Sequence, residues 1–162
     1  MDIFLPEHQD FLRRLVAANI DFILVGGYAV IYHGYGRSTG DLDVWVLPEK
    51  ENWEKVIQVL QAIGLPQEAI IYYRNANLSE PQVIMFDPPP IKVDILTKIS
   101  LVDYKEAKER SLLRTLNGIP VHVLHLEHLV LSKINTGRTQ DKADIDELQR
   151  IEKARNKNKK GD

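Results

Sequence analysis

Cysteine is absent from all 162 residues, which excludes a disulfide framework, a thiolate zinc site and thiol redox chemistry. Long apolar runs are absent too. None approaches the roughly 20 residues that a membrane-spanning helix needs, and the start Met1-Asp-Ile-Phe-Leu-Pro-Glu7 lacks a basic and then apolar leader pattern. The expectation is therefore a cytoplasmic protein without a membrane partner. An excess of one charge is also missing, with 21 basic residues against 23 acidic ones. A net charge of -2 gives no whole-molecule field to draw in nucleic acid nonspecifically, although a local basic patch remains open. No glycine is followed by Lys-Ser or Lys-Thr, so a Walker A loop is excluded.

What is present suffices for one domain with its own core, over residues 1–152. Apolar residues at helical spacing predict a helix over 6–19, and the run Ile20–Val25 predicts a strand that stops at Gly26-Gly27. A helix is expected from Tyr28 to His33, a glycine-rich loop around Gly34, Gly36 and Gly40, and a strand from Asp41 to Leu47 ended by Pro48. Further helices are expected over 51–63, 101–113, 127–134 and 141–154, and strands over 83–86, 91–96 and 119–124. Asp87-Pro-Pro-Pro90 suits a hairpin-like link between the first two of these strands. The fold class is thus α/β (α+β), a mixed sheet flanked by helices with a helical C-terminal part. Residues 153–162 are basic and nearly without apolar side chains, and are expected to form a disordered tail, solvated or in contact with RNA or a partner.

Asp41-Leu-Asp43 is the most informative triplet. Alternate strand residues share a face, so two carboxylates stand side by side and repel each other unless a cation lies between them. Hard oxygen ligands with open positions suit Mg2+, with Mn2+ as a substitute. An exposed pair at a strand end is the plain alternative. A calcium loop fits poorly, because Val44, Trp45 and Val46 follow where polar ligands would be needed. Gly26-Gly27, between an apolar strand and a helix, suits the approach of a phosphate to backbone N–H groups. Arg37, Ser38 and Thr39 add donors for phosphate oxygens just before the carboxylates. Asp94, between Val93 and Ile95, is costly to bury without a partner or metal and is the natural third carboxylate. Gly34-Tyr-Gly-Arg-Ser-Thr-Gly40 has the wrong spacing for a dinucleotide fingerprint and precedes a strand. His122 and His125 fall on opposite faces of a strand, so these two, with His128, are expected to be surface or packing histidines, and His33 carries no assigned role.

Val25-Gly-Gly27, Arg37-Ser-Thr-Gly-Asp-Leu-Asp-Val44 and Asp94 within Val-Asp-Ile together resemble the DNA polymerase beta-type nucleotidyltransferase superfamily. Thirteen residues, Tyr28 to Gly40, separate the second glycine from Asp41. Lys133, Gly137-Arg138 and Asp141-Lys-Ala-Asp144-Ile145 extend the likeness to small stand-alone prokaryotic nucleotidyltransferases, including those of toxin-antitoxin pairs. The resemblance covers roughly residues 20 to 148. It implies transfer of a nucleoside monophosphate from a nucleoside triphosphate, ATP included, to a protein, RNA or small-molecule hydroxyl. Asp41, Asp43 and Asp94 would hold two Mg2+ ions, and Gly26, Gly27, Arg37, Thr39, Lys133 and Arg138 would meet the phosphates. It also implies a cognate toxin or antitoxin partner, and an inactive nucleotide-binding or interaction module is the alternative. From the residues alone, Lys133 reads equally as a solvated helix residue and Asp141 as a helix N-cap, and Asp144 is expected to pair with a basic neighbour.

Overall fold

A computed structural model describes residues 1–161. Helix α1 (Pro6–Ala17) begins with a proline in its first turn, where the missing N–H costs nothing, and buries Phe11, Leu12 and Leu15. Strand β1 (Phe22–Val25) is buried throughout and runs directly into α2 (Gly26–Tyr32). Strand β2 (Leu42–Val46) follows the glycine-rich loop, then α3 (Lys50–Ala62) and α4 (Gln67–Arg74). Strands β3 (Val83–Phe86) and β4 (Val93–Leu96), helix α5 (Tyr104–Arg110) and the pair β5 (Leu112–Leu116) and β6 (Ile119–Val123) come next. Helices α6 (Leu126–Lys133) and α7 (Thr139–Lys160) complete the described residues.

The six strands form one mixed sheet in the order β3-β4-β2-β1-β6-β5. β1 pairs antiparallel with β2 and parallel with β6, whereas β2 pairs parallel with β4. Two central strands, β1 and β2, read as near-continuous apolar runs because both faces are covered, and Ile23, Leu24, Leu42, Val44 and Val46 are fully buried. The one polar interruption in this zone is Asp43, half-buried between Leu42 and Val44. The fold is therefore the mixed α/β architecture that the hydrophobic pattern predicts.

Three segments differ from the pattern-based expectation. The helix expected over 101–113 is only α5, capped by the Asp103 carboxylate accepting from the Glu106 N–H at 3.2 Å. Ser111 is already extended, and Leu112–Leu116 forms an antiparallel hairpin with β6. Asn117 and Gly118, at φ 52° and 74°, make its two-residue turn with the left-handed conformation that Asn-Gly favours. Helix α4 follows Pro66 and was hidden by its weak apolar periodicity. Finally, the basic segment expected to fray continues α7 to Lys160 instead of leaving the helix at Ala154. Its Ala, Arg and Lys residues favour helix, and Arg155 donates to the His33 carbonyl at 2.9 Å.

Candidate active site

The parallel pairing of β2 with β4 sets Asp43 directly beside Asp94, and the antiparallel pairing of β1 with β2 sets Asp43 beside Val25. Gly26 therefore starts α2 next to the Asp43 side chain. A Cβ on Gly26 would lie 2.1 Å from Asp43 Oδ2, and its φ of 67° is left-handed. Only glycine allows both the turn and the contact. Gly27 is constrained in the same way, since an added Cβ would meet Thr39 Oγ1 at 2.7 Å and Arg37 Nη1 at 3.4 Å. The two glycines thus make room first for Asp43, Thr39 and Arg37.

Asp43 and Asp94 occupy paired positions of neighbouring parallel strands, close enough for each carboxyl to act on the other. Burial pushes the Asp43 carboxyl up to about 7, and the charges of Asp94 and Asp41 add to the rise, with Lys133 opposing it. Burial also raises Asp94, as does the charge of Asp41, while the hydrogen bond from Asp43 and the charge of Arg138 pull it down. Asp41 is exposed, one strand step beyond the pair, and its N–H reaches Thr39 Oγ1 at 3.4 Å. Among the described residues no three His, Asp or Glu side chains form a preassembled metal-binding group. The chemistry of the set nevertheless fits a hard divalent cation: two carboxyls at paired strand positions and a third within Coulomb reach repel one another, and such a cation removes that repulsion.

The basic residues expected near phosphate are held by a second, buried cluster. Asp144 is fully buried, and both of its oxygens accept from Arg37, Nε and Nη2 each at 3.0 Å. Lys133 Nζ lies 3.0 Å from Asp144 Oδ2 and 3.1 Å from Asp141 Oδ1, and Gln140 Nε2 donates to Asp144 Oδ1 at 2.9 Å. Burial pushes the Asp144 carboxyl up, but hydrogen bonds from Arg37, Lys133 and Gln140 outweigh it and hold it below the ordinary value. Lys133 is buried, so a solvated helix residue is not what it is. Asp141 is not the N-cap of α7 either; Arg138 occupies that position, and Asp141 accepts from Thr136 Oγ1 at 2.7 Å. Arg138 is exposed, close enough to Asp94 to lower its carboxyl. Asp144 pairs with basic neighbours, as its sequence context suggests, but its convergence with Asp141 on Lys133 went unforeseen. Their spacing of three on one helix, which puts both on one face, was the available signal.

The histidines stand elsewhere. His122 shares a hydrogen bond of 2.9 Å with Ser111 Oγ, His125 accepts from the Glu127 N–H at the start of α6, and His33 Nε2 donates to the Leu124 carbonyl at 2.8 Å. A cavity of about 490 Å³ opens at the far end of the β1–β2 pair, lined by Asp21, Asn52, Lys108 and His122 among others. The Asp21 carboxylate is already engaged by Tyr104 and Lys108, at 2.6 and 2.8 Å, and none of the residues expected in the site lines the cavity.

A mixed sheet that sets paired acidic residues on neighbouring strands beside a Gly-Gly strand-to-helix junction defines a nucleotidyltransferase-type domain. The chain belongs to the family described as nucleotidyltransferases of unknown function (DUF6036), whose model matches residues 8–154. No curated protein matches it. Among solved structures it is similar to the lincosamide antibiotic adenylyltransferase LnuA bound to lincomycin, at TM-score 0.56 and 16% identity, over 93% of this chain and 99% of that one. A nucleotidyltransferase-like antigenic protein from Paracoccidioides brasiliensis gives 0.51 and 15%, over 88% and 72%. A candidate nucleotidyltransferase from Thermotoga maritima, TM1012, gives 0.51 and 16%, over 98% and 94%. At these identities the likeness is one of fold.

Proposed function

We propose that this chain catalyses divalent-cation-dependent transfer of a nucleoside monophosphate from a nucleoside triphosphate to a hydroxyl acceptor, releasing pyrophosphate. The observation that carries this reading is the register that seats Asp43 against Asp94, with Asp41 one step away along β2. The site residues of this reading are Asp41, Asp43 and Asp94 for the metal, and Gly26, Gly27, Arg37, Thr39, Lys133 and Arg138 for the nucleotide. A divalent cation bound to the carboxylates supplies positive charge to the triphosphate and lowers the pKa of the acceptor hydroxyl. Asp94 accepts the hydroxyl proton as the new oxygen–phosphorus bond forms, and the bond from the α-phosphorus to pyrophosphate breaks. Arg37 Nη1, beside Gly27, and Arg138, beside Asp94, offset the charge that grows on the leaving group.

The acceptor is proposed to be a protein or RNA hydroxyl ahead of a small molecule, in a cytoplasmic setting and with a toxin or antitoxin as cognate partner. The last point rests on the sequence resemblance. The deciding assay incubates the protein with Mg2+, cell extract and each labelled nucleoside triphosphate in turn. Label entering protein or RNA in a Mg2+-dependent way, and not with Asp41→Asn, is the expected result. Undiminished transfer by that variant would sink the assignment of the carboxylates, and absence of any Mg2+-dependent triphosphate binding would remove the inactive nucleotide-binding alternative as well.

A further inference from the structure

Two clusters, one acidic and one charge-balanced, lie side by side. One holds Asp41, Asp43 and Asp94. The other holds two cations, Arg37 and Lys133, with two carboxylates, Asp141 and Asp144, and so balances its own charge. Their proximity follows from the glycines: Asp43 Oδ2 lies over Gly26, and Arg37 Nη1 lies over the next residue, Gly27. Lys133 is also close enough to bear on the Asp43 carboxyl.

Both cations have flexible stems, and the negative charge of Asp43 and Asp94 nearby is an attractive destination for them. What prevents that migration is Asp144. It is fully buried, it binds Arg37 through two parallel hydrogen bonds, and it holds one of the three protons of Lys133 while Asp141 takes another. Of the five Arg37 N–H groups, one on Nε and one on Nη2 face Asp144 and one on Nη1 donates to the Ser38 carbonyl at 3.1 Å, which leaves one each on Nη1 and Nη2.

We propose that Asp144 is a positioning residue that keeps Arg37 and Lys133 off Asp43 and Asp94, so that these carboxylates stay available to a divalent cation. The inference rests on the metal-dependent reading above and deepens it. In Asp144→Asn the replacement amide still fills the space, but it carries no charge and turns an N–H2 toward the cations. Arg37 is then released, Lys133 keeps only Asp141, and both can act as internal counter-ions on Asp43 and Asp94 in competition with the metal.

The test is Mn2+ binding by the full-length protein without nucleotide, followed by calorimetry and by loss of the free-Mn2+ paramagnetic resonance signal. Wild type is expected to bind, Asp43→Asn to lose binding, and Asp144→Glu, which keeps the charge, to stay near wild type. Asp144→Asn is expected to bind about tenfold more weakly or worse. Removing the freed cations should reverse this stepwise: K133M/D144N recovers part of the affinity, and R37Q/K133M/D144N comes within about threefold of wild type. A residue that merely supported the fold would give further loss at each step. Should Asp144→Asn fail to fold, the comparison of the double with the triple variant decides alone, and equal affinity in that pair overturns the proposal. Failure of wild type to bind Mn2+ overturns this proposal and the metal-dependent reading together. Binding that is lost in Asp43→Asn yet unchanged in Asp144→Asn overturns only the role of Asp144.

Discussion

In the metal-free protein the Asp43 carboxyl is raised from an ordinary 3.8 to about 7 by burial first and by Asp94 and Asp41 next. The native state thus keeps a proton that the unfolded chain has given up. Stabilisation tied to this group is complete below the unfolded pKa and is lost as the pH rises through the folded one. Asp43→Asn is expected to flatten that dependence while lowering transfer activity by about a hundredfold or more. Thermal midpoints in EDTA at about pH 5 and about pH 8 should then lie closer together than in wild type. A variant with the wild-type spread would place the pH dependence elsewhere. Gly26→Ala combines a left-handed backbone with a clash on Asp43 Oδ2, and a cost of about 1–3 kcal/mol in chemical denaturation is expected, together with loss of activity. The acidic triad and the glycines were legible because side-chain alternation and left-handed turns are local properties. The contact of Asp43 with Asp94 was not, because it depends on the register between strands about fifty residues apart.

Elements show the same division. Strand β3 has the limits that its apolar run suggests, and β1, β2, β4 and β6 fall within a few residues of theirs. The first two residues of β5, Leu112 and Leu113, fall in the helix expected over 101–113, and the Asn117-Gly118 turn is the local signal that favours a hairpin there instead. That turn has a second duty: Asn117 Oδ1 accepts from the N–H groups of Ile3 and Phe4, at 2.8 and 3.0 Å, and so fastens the N-terminal segment to the hairpin. Asn117→Ala removes both bonds and strains the turn at φ 52°. A loss of about 1–3 kcal/mol in urea unfolding is expected, with earlier hydrogen exchange at Ile3 and Phe4. Protection unchanged at those amides would show that the segment is held by Phe4 packing alone.

For the molecule as a whole, Asp144 joins the loop after α2, helix α6 and helix α7 through one buried carboxylate. Its pKa is held below the ordinary value, so its contribution is present above the unfolded pKa and is lost as the pH falls through the folded one. Asp144→Ala leaves Arg37 without its carboxylate and Lys133 with Asp141 alone, and a destabilisation of about 3–5 kcal/mol near neutral pH is expected, shrinking toward the acid limb of a pH series. A constant difference down to that limb would mean that packing, not charge, sets the cost. Truncation after Arg155 is expected to leave the melting temperature within about 2 °C of wild type, since that residue carries the bond to His33 and residues 156–161 are exposed. Among the described residues no helix is long and apolar enough to cross a membrane.

The link between Asp144 and Arg37 spans 107 positions of the chain. During synthesis the glycines, the three acidic residues and both cations therefore leave the ribosome before the helix that restrains those cations. Until α7 docks, Arg37 and Lys133 have neither Asp141 nor Asp144 to bind, so the order of synthesis makes the charge arrangement beside Asp43 and Asp94 a late product of folding.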